Sequence, residues 1–273
     1  MKLMNLLLVA AGLASIYSCE KDKQDDEVVL LEGDIGYASS QSYMHSVNND
    51  IISIAETAMA YGKGPLSTCA NVTHNTAQKK LTIDFGTSPC KGPDGRSRRG
   101  KIIVSYSGTW GAAGTSQTFT FDKYKIDDAG VYGSFTLANK GTNGDGQKYC
   151  TMTGKDTIVE YILLSDPEAG RSIFQEMNLT RIWVEGANTS SREDDVFAIS
   201  GDAKIKGYKK EYNSIIRSPL KKTIECEFMS QGEIELNLPD IDTRMVDYGP
   251  GACDNKAEII IKGKRVSVDV GDF

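Results

Sequence analysis

The stretch Ser116-Gln117-Thr118-Phe119-Thr120-Phe121-Asp122-Lys123-Tyr124-Lys125-Ile126, then Asp127-Asp128-Ala129-Gly130, then Val131-Tyr132-Gly133-Ser134-Phe135-Thr136-Leu137-Ala138-Asn139 decides the fold of this chain. Aromatic and β-branched residues alternate with small or polar ones on both sides of a short, glycine-ended turn. Alternation at period two marks a strand, and Asp128-Ala129-Gly130 marks the reversal. A turn this short joins antiparallel neighbours, because a parallel pair needs a crossover of about a dozen residues.

The same grammar runs through most of the chain. Strands are expected over 71–73, 80–85, 101–108, 116–126, 131–139, 149–153, 157–163, 178–185, 195–205, 211–216, 223–228, 232–237, 244–248, 257–262 and 265–270. Asp94-Gly95, Asn143-Gly144, Asp145-Gly146 and Lys262-Gly263 supply turns between them. One segment reads differently. From Ser39 to Tyr61, Met44, Val47, Ile51, Ile54 and Ala58 recur at spacings of three and four, which makes one apolar helical face. Ser39 or Ser40 can cap its start, and Gly62 with Gly64 stops it. The expected fold is mainly β: an antiparallel meander with one N-terminal helix packed on it. A two-sheet sandwich is the favoured closure, and a strongly curved open sheet is the alternative.

The N-terminus carries a different signal. Lys2 precedes an apolar run from Leu3 to Ile16, which ends at Tyr17-Ser18-Cys19. This fits a secretory signal and is too short for a spanning helix, which needs about 20 residues. Ile16-Tyr17-Ser18-Cys19 resembles a bacterial lipobox, with Tyr17 in place of the usual small residue. That resemblance implies a Cys19 carrying three acyl chains, palmitate among them. At about 0.8 kcal/mol per buried methylene, several chains hold firmly where one does not. The tract Glu20-Lys21-Asp22-Lys23-Gln24-Asp25-Asp26-Glu27 buries no apolar area and reads as a flexible spacer. It also resembles, loosely, an acidic signal for display on the cell surface.

Four of the other cysteines sit in two copies of one pattern. Thr82-Ile83-Asp84-Phe85-Gly86 is followed by Cys90, and Met245-Val246-Asp247-Tyr248-Gly249 by Cys253, at the same Asp-to-Cys spacing. Cys69 precedes the first copy and Cys226 the second. An exported chain meets an oxidising compartment. With Cys19 taken by lipid, five cysteines and one left free allow about fifteen arrangements. The repeat selects Cys69 with Cys90 and Cys226 with Cys253, leaving Cys150 free. The competing reading is a set of reduced, buried cysteines. These elements, with Trp183-Val184-Glu185-Gly186 and Cys253-Asp254-Asn255-Lys256-Ala257, are similar to a family of Bacteroidota lipoproteins. The resemblance implies a β-rich fold and an envelope location, and it implies no activity.

No catalytic residue is assigned. His45 and His74, the only histidines, stand in no recognisable motif, and no C-x-x-C pair suggests a metal. Asp240-Ile241-Asp242 and Glu193-Asp194-Asp195 do not follow a calcium-loop pattern. The loop before Cys150, 141–148, lacks the ending and the helix of a phosphate cradle. Asp156-Thr157-Ile158 resembles a short O-glycosylation acceptor. Two features are candidate ligand contacts: the compact basic turn with Arg96, Arg98 and Arg99, and Trp110 on a Gly/Ser-rich loop, since indole faces suit sugar rings. Trp183 reads as a core residue. The net charge of −6 argues against nucleic acid.

The expected organisation is a signal peptide over 1–18, the lipidated Cys19 and acidic linker over 19–36, the helix over 37–64 and an all-β domain over 65–273. The expected role is non-enzymatic binding or scaffolding at the outer membrane, facing the periplasm or the cell surface. It uses no cofactor, and its partner is a glycan or an envelope protein. The alternatives are a surface glycan-binding lipoprotein and a hydrolase with a carboxylate pair that no motif marks.

Overall fold

The computed structural model describes residues 30–31, 33–64, 66–160, 171–189, 191–207 and 210–270. Cys19, the signal peptide and the acidic tract lie outside the described residues. The helix, α1, spans Asp34–Tyr61, so it begins earlier than Ser39. Ser39 and Ser40 lie inside it, buried, and cap nothing. Its start is held instead by Asp34, whose carboxylate accepts from the Leu31 backbone N–H at 2.8 Å. Gly62 ends it as expected, donating its N–H to the Ala58 carbonyl at 2.9 Å.

Fourteen antiparallel strands among the described residues form one sheet. They are β1 (Asn71–Asn75), β2 (Lys80–Asp84), β3 (Cys90–Lys91), β4 (Ser97–Tyr106), β5 (Ser116–Ile126), β6 (Ala129–Thr142), β7 (Lys148–Glu160), β8 (Arg171–Glu185), β9 (Val196–Gly207), β10 (Lys210–Thr223), β11 (Gln231–Asn237), β12 (Arg244–Pro250), β13 (Lys256–Ile261) and β14 (Lys264–Asp269). Each pairs with its sequence neighbour, except that β2 pairs with β4 and the short β3 also lies on β4. The opening stretch forms the β5–β6 hairpin, with Phe119 opposite Phe135 and their rings stacked 4.7 Å apart. Expected strands 149–153 and 157–163 are one continuous strand as far as Glu160. Gly154 lies within it, paired on both sides, and a Cβ there would stand 2.5 Å from the Phe135 Cα, so the close approach of β6 requires glycine. Residues 224–228, expected as a strand, form a loop instead.

The sandwich is not formed; the sheet is single and open. The helix occupies the place where a second sheet would pack. Both limbs of the sheet reach it: Arg98 of β4 bonds Asp50, and Arg244 of β12 bonds Asp34 at 2.9 Å. The middle strands reach it too. Arg181 of β8 donates to Asn49 at 3.1 Å, and Ser214 of β10 donates to Gln41 at 2.7 Å. Contacts on so many sides bury 18 of the 28 helical residues, including the whole predicted apolar face. A sheet touching one helix from β4, β8, β10 and β12 must curl around it. Among the described residues, β1 and β14 are the edges of the sheet.

Both expected bridges are present. Cys69 joins Cys90 and Cys226 joins Cys253, while Cys150 is free. With sequence separations of 21 and 27 between partners, each contributes about 3 kcal/mol in the chain-entropy account. The two repeat copies share local geometry. Asp84 accepts from the Gly86 N–H, and Asp247 accepts from the Gly249 N–H, both at 2.9 Å. Both glycines have left-handed φ, 77° and 83°, and the preceding Phe85 and Tyr248 are buried.

Candidate functional site

Beneath the C-terminal end of α1, the concave face of the sheet leaves a cleft of about 420 Å³. Its floor is built by alternate positions of five adjacent strands: Gln117 and Phe119, Leu137 and Asn139, Lys148 and Cys150, Arg181 and Trp183, and Phe197. The period of two turns all of them to the same face. Pairing places Cys150 between Asn139 and Arg181, and Trp183 opposite Phe197. Glu56, Met59 and Ala60 of α1 cover one side, and Trp110 and Gly111 enter from the β4–β5 loop.

The side chains are held in place by each other. The Trp183 Nε1–H donates to Asp195 at 3.1 Å, and the Trp183 and Phe197 rings lie 5.7 Å apart. Asp195 is fully buried, which pushes its carboxyl up, and Arg192 at 3.5 Å partly offsets that. Arg192 also bonds Glu56. The Arg181 guanidinium carbon lies over Phe197, 3.3 Å from the ring centroid, with Glu56 at 3.8 Å. Lys148 holds its ammonium 5.2 Å from the Trp183 ring centroid. The edge of the Tyr106 ring meets Trp110 at 5.9 Å, and the Tyr106 hydroxyl is 2.7 Å from the His74 Nε2. Burial pushes the Cys150 thiol up, so it is a poor nucleophile.

The residues singled out from sequence divide sharply. Trp110 lies in the cleft. Trp183, expected in the core, is half-buried and lines the same cleft. The arginines expected in a basic turn lie elsewhere, with Arg98 and Arg99 on strand β4, and meet the chain's own carboxylates. Arg96 pairs with Asp127 at 2.8 Å, Arg99 with Asp128 at 3.2 Å, and the buried Arg98 with both Asp50 and Asp94. Burial works against the Arg98 charge, and Asp94 and Asp50 more than offset it. His45 is buried inside α1, where desolvation lowers its pKa to about 4. Asp156 is buried in the middle of β7, so the glycosylation-like tripeptide is strand rather than loop. Asp242 pairs with Lys262 at 3.0 Å. Among the described residues, no three His, Cys, Asp or Glu side chains come together as metal ligands would.

Sequence reading missed Arg181, Arg192, Lys148, Glu56 and Phe197. One signal was available. Met177, Leu179, Arg181 and Trp183 share one phase of β8, so a charge interrupts an otherwise apolar row. Searched against protein-family models, curated proteins and solved structures, the chain matches none.

Proposed function

We propose that this chain is a membrane-anchored, non-enzymatic binding protein, and that the cleft under the end of α1 seats a small ring-bearing ligand. One observation carries the reading: both tryptophans of the chain, one from a loop and one from a strand, line the same cleft. Its volume is within the range of small-molecule sites, about 300–1,000 Å³. Flat aromatic faces beside Gln117, Asn139 and Lys148 suit a ring with a polar edge. A surface glycan is the second reading, favoured by this same pairing of indoles with amides.

The hydrolase reading has less support. Glu56 is engaged by Arg192 and Arg181, and Asp195 is fully buried against Trp183, so neither carboxylate is presented to a substrate. For location, the support is the two bridges, which belong to an oxidising compartment, together with the lipobox-like end at Cys19 and the resemblance to Bacteroidota lipoproteins. The tether then holds the binding domain at the outer membrane.

An array of glycans and small cyclic compounds tests the binding reading. Wild type should retain at least one class of ring compound, and Trp110→Ala should lose most of that retention. If both proteins bind nothing on the array, the cleft is not a ring-binding site.

A further inference from the structure

The cleft lies in an acidic chain, yet its own charge is positive. Lys148, Arg181 and Arg192 line it, against the single lining carboxylate of Glu56 and the buried Asp195 behind Trp183. Both carboxylates are already taken by the arginines. Even so, the arginines are not saturated: Nη2 of the buried Arg181 and Nε of Arg192 have no hydrogen-bond partner among the described residues. Lys148 has no carboxylate within ion-pair reach among them, and its ammonium leans on the Trp183 indole. An ammonium on an exposed ring face gains little, and a carboxylate hydrogen-bonded to it adds a charge-assisted contact that the ring alone does not supply.

We propose that the cleft selects a ring compound carrying one carboxylate. This rests on the reading of the cleft as a ligand seat and adds the charge of the ligand. The ring covers the indoles, and the carboxylate meets the Lys148 ammonium at the rim of the cleft. Arg181 and Arg192 lie deeper, their charges matched by Glu56 and Asp195, so the unmatched positive charge is that of Lys148. A neutral ring leaves the exposed Lys148 ammonium without a counter-charge, so the acid binds more tightly than its uncharged analogue. Acidic sugars and aromatic acids share this chemistry.

Because both tryptophans line the cleft, the intrinsic fluorescence of the mature chain reads its occupancy without a label. The titrants are glucuronate and benzoate, each beside a neutral counterpart, glucose and benzyl alcohol. At least one acid should give a saturable change at a concentration at least tenfold lower than its neutral counterpart. Which acid succeeds separates a sugar acid from an aromatic one. Lys148→Gln should abolish most of that preference, and 0.5 M salt should weaken the acid's binding. Equal binding of acid and neutral rings, or an unchanged preference in Lys148→Gln, overturns the charge selection while leaving ring binding intact. No response to any of the four overturns the selection, and if the array is also blank the ring-binding reading goes with it.

Discussion

Asp156 sits midway along β7, paired across the strand with Gln175 and facing Asn48 of the helix. Its two oxygens, both polar atoms of Asn48 and the Gln175 Nε2 are buried without a hydrogen-bond partner among the described residues. Burial raises its pKa from 3.8 to about 7, outweighing the opposing effect of the two neighbouring amides. The folded chain therefore keeps a proton that the unfolded chain releases above pH 4. Stability is greatest below that pH and falls as pH rises toward 7, by up to about 4 kcal/mol. His45 works in the opposite sense. Its pKa drops from 6.5 to about 4, so stability is lost as pH falls through that window. The two slopes overlap and oppose each other. Asp156→Asn should remove one, leaving a variant whose denaturant midpoint climbs from pH 4 to 6.5 and exceeds wild type above pH 7. Parallel midpoint curves for the two proteins would exclude this assignment. Little of the site was legible at this scale. Trp110 was found because a loop tryptophan is conspicuous. Trp183 was read as core because its strand is apolar, and nothing local reveals that the helix stops short of covering it. Arg98 looked available because Asp50, 48 positions away, comes beside it only in the folded chain.

Strands were legible because alternation is local. β5 has the bounds its sequence suggests, and β11 to β14 begin and end within two residues of expectation. The helix start was not, because Asp34 acts through partners on β12 and in the preceding segment. Curvature was also hidden, since it depends on a few glycines. Gly201 lies in β9 with φ 121°, and a Cβ there would stand 2.3 Å from the Asn178 carbonyl oxygen of β8. Gly133 in β6 meets the Lys155 carbonyl of β7 in the same way, at 2.3 Å with φ 90°. Backbones this close, with left-handed residues inside strands, let the sheet coil tightly. Gly201→Ala should therefore cost roughly 2–4 kcal/mol, from strain and displacement of a paired strand. Gly144→Ala, at an open turn position with nothing within 4 Å of the new methyl group, should change stability by less than about 0.5 kcal/mol. Urea denaturation of both variants checks this, and equal midpoints would refute it.

Closure of the whole molecule could not be read from alternation, which gives a sandwich and a rolled sheet the same faces. The deciding feature is a helix with polar residues on nearly every side: Gln41, Ser46, Asn49 and Asp50 each find a partner in a different strand or loop. The proposed lipid tether is tested at this scale too. Replacing Cys19 with alanine should move the protein from the membrane fraction to the soluble fraction of the envelope. Unchanged partition on carbonate extraction would sink the lipid anchor. The buried Asp34–Arg244 pair links residues 210 positions apart, and α1 precedes every strand that encloses it. A chain emerging N-terminus first thus presents its central pillar long before the wall that surrounds it. Contacts of such long range make folding slow, and the helix must wait, exposed, until β12 arrives. Late folding of that kind would suit the proposed export, which needs a chain still threadable through a translocation pore.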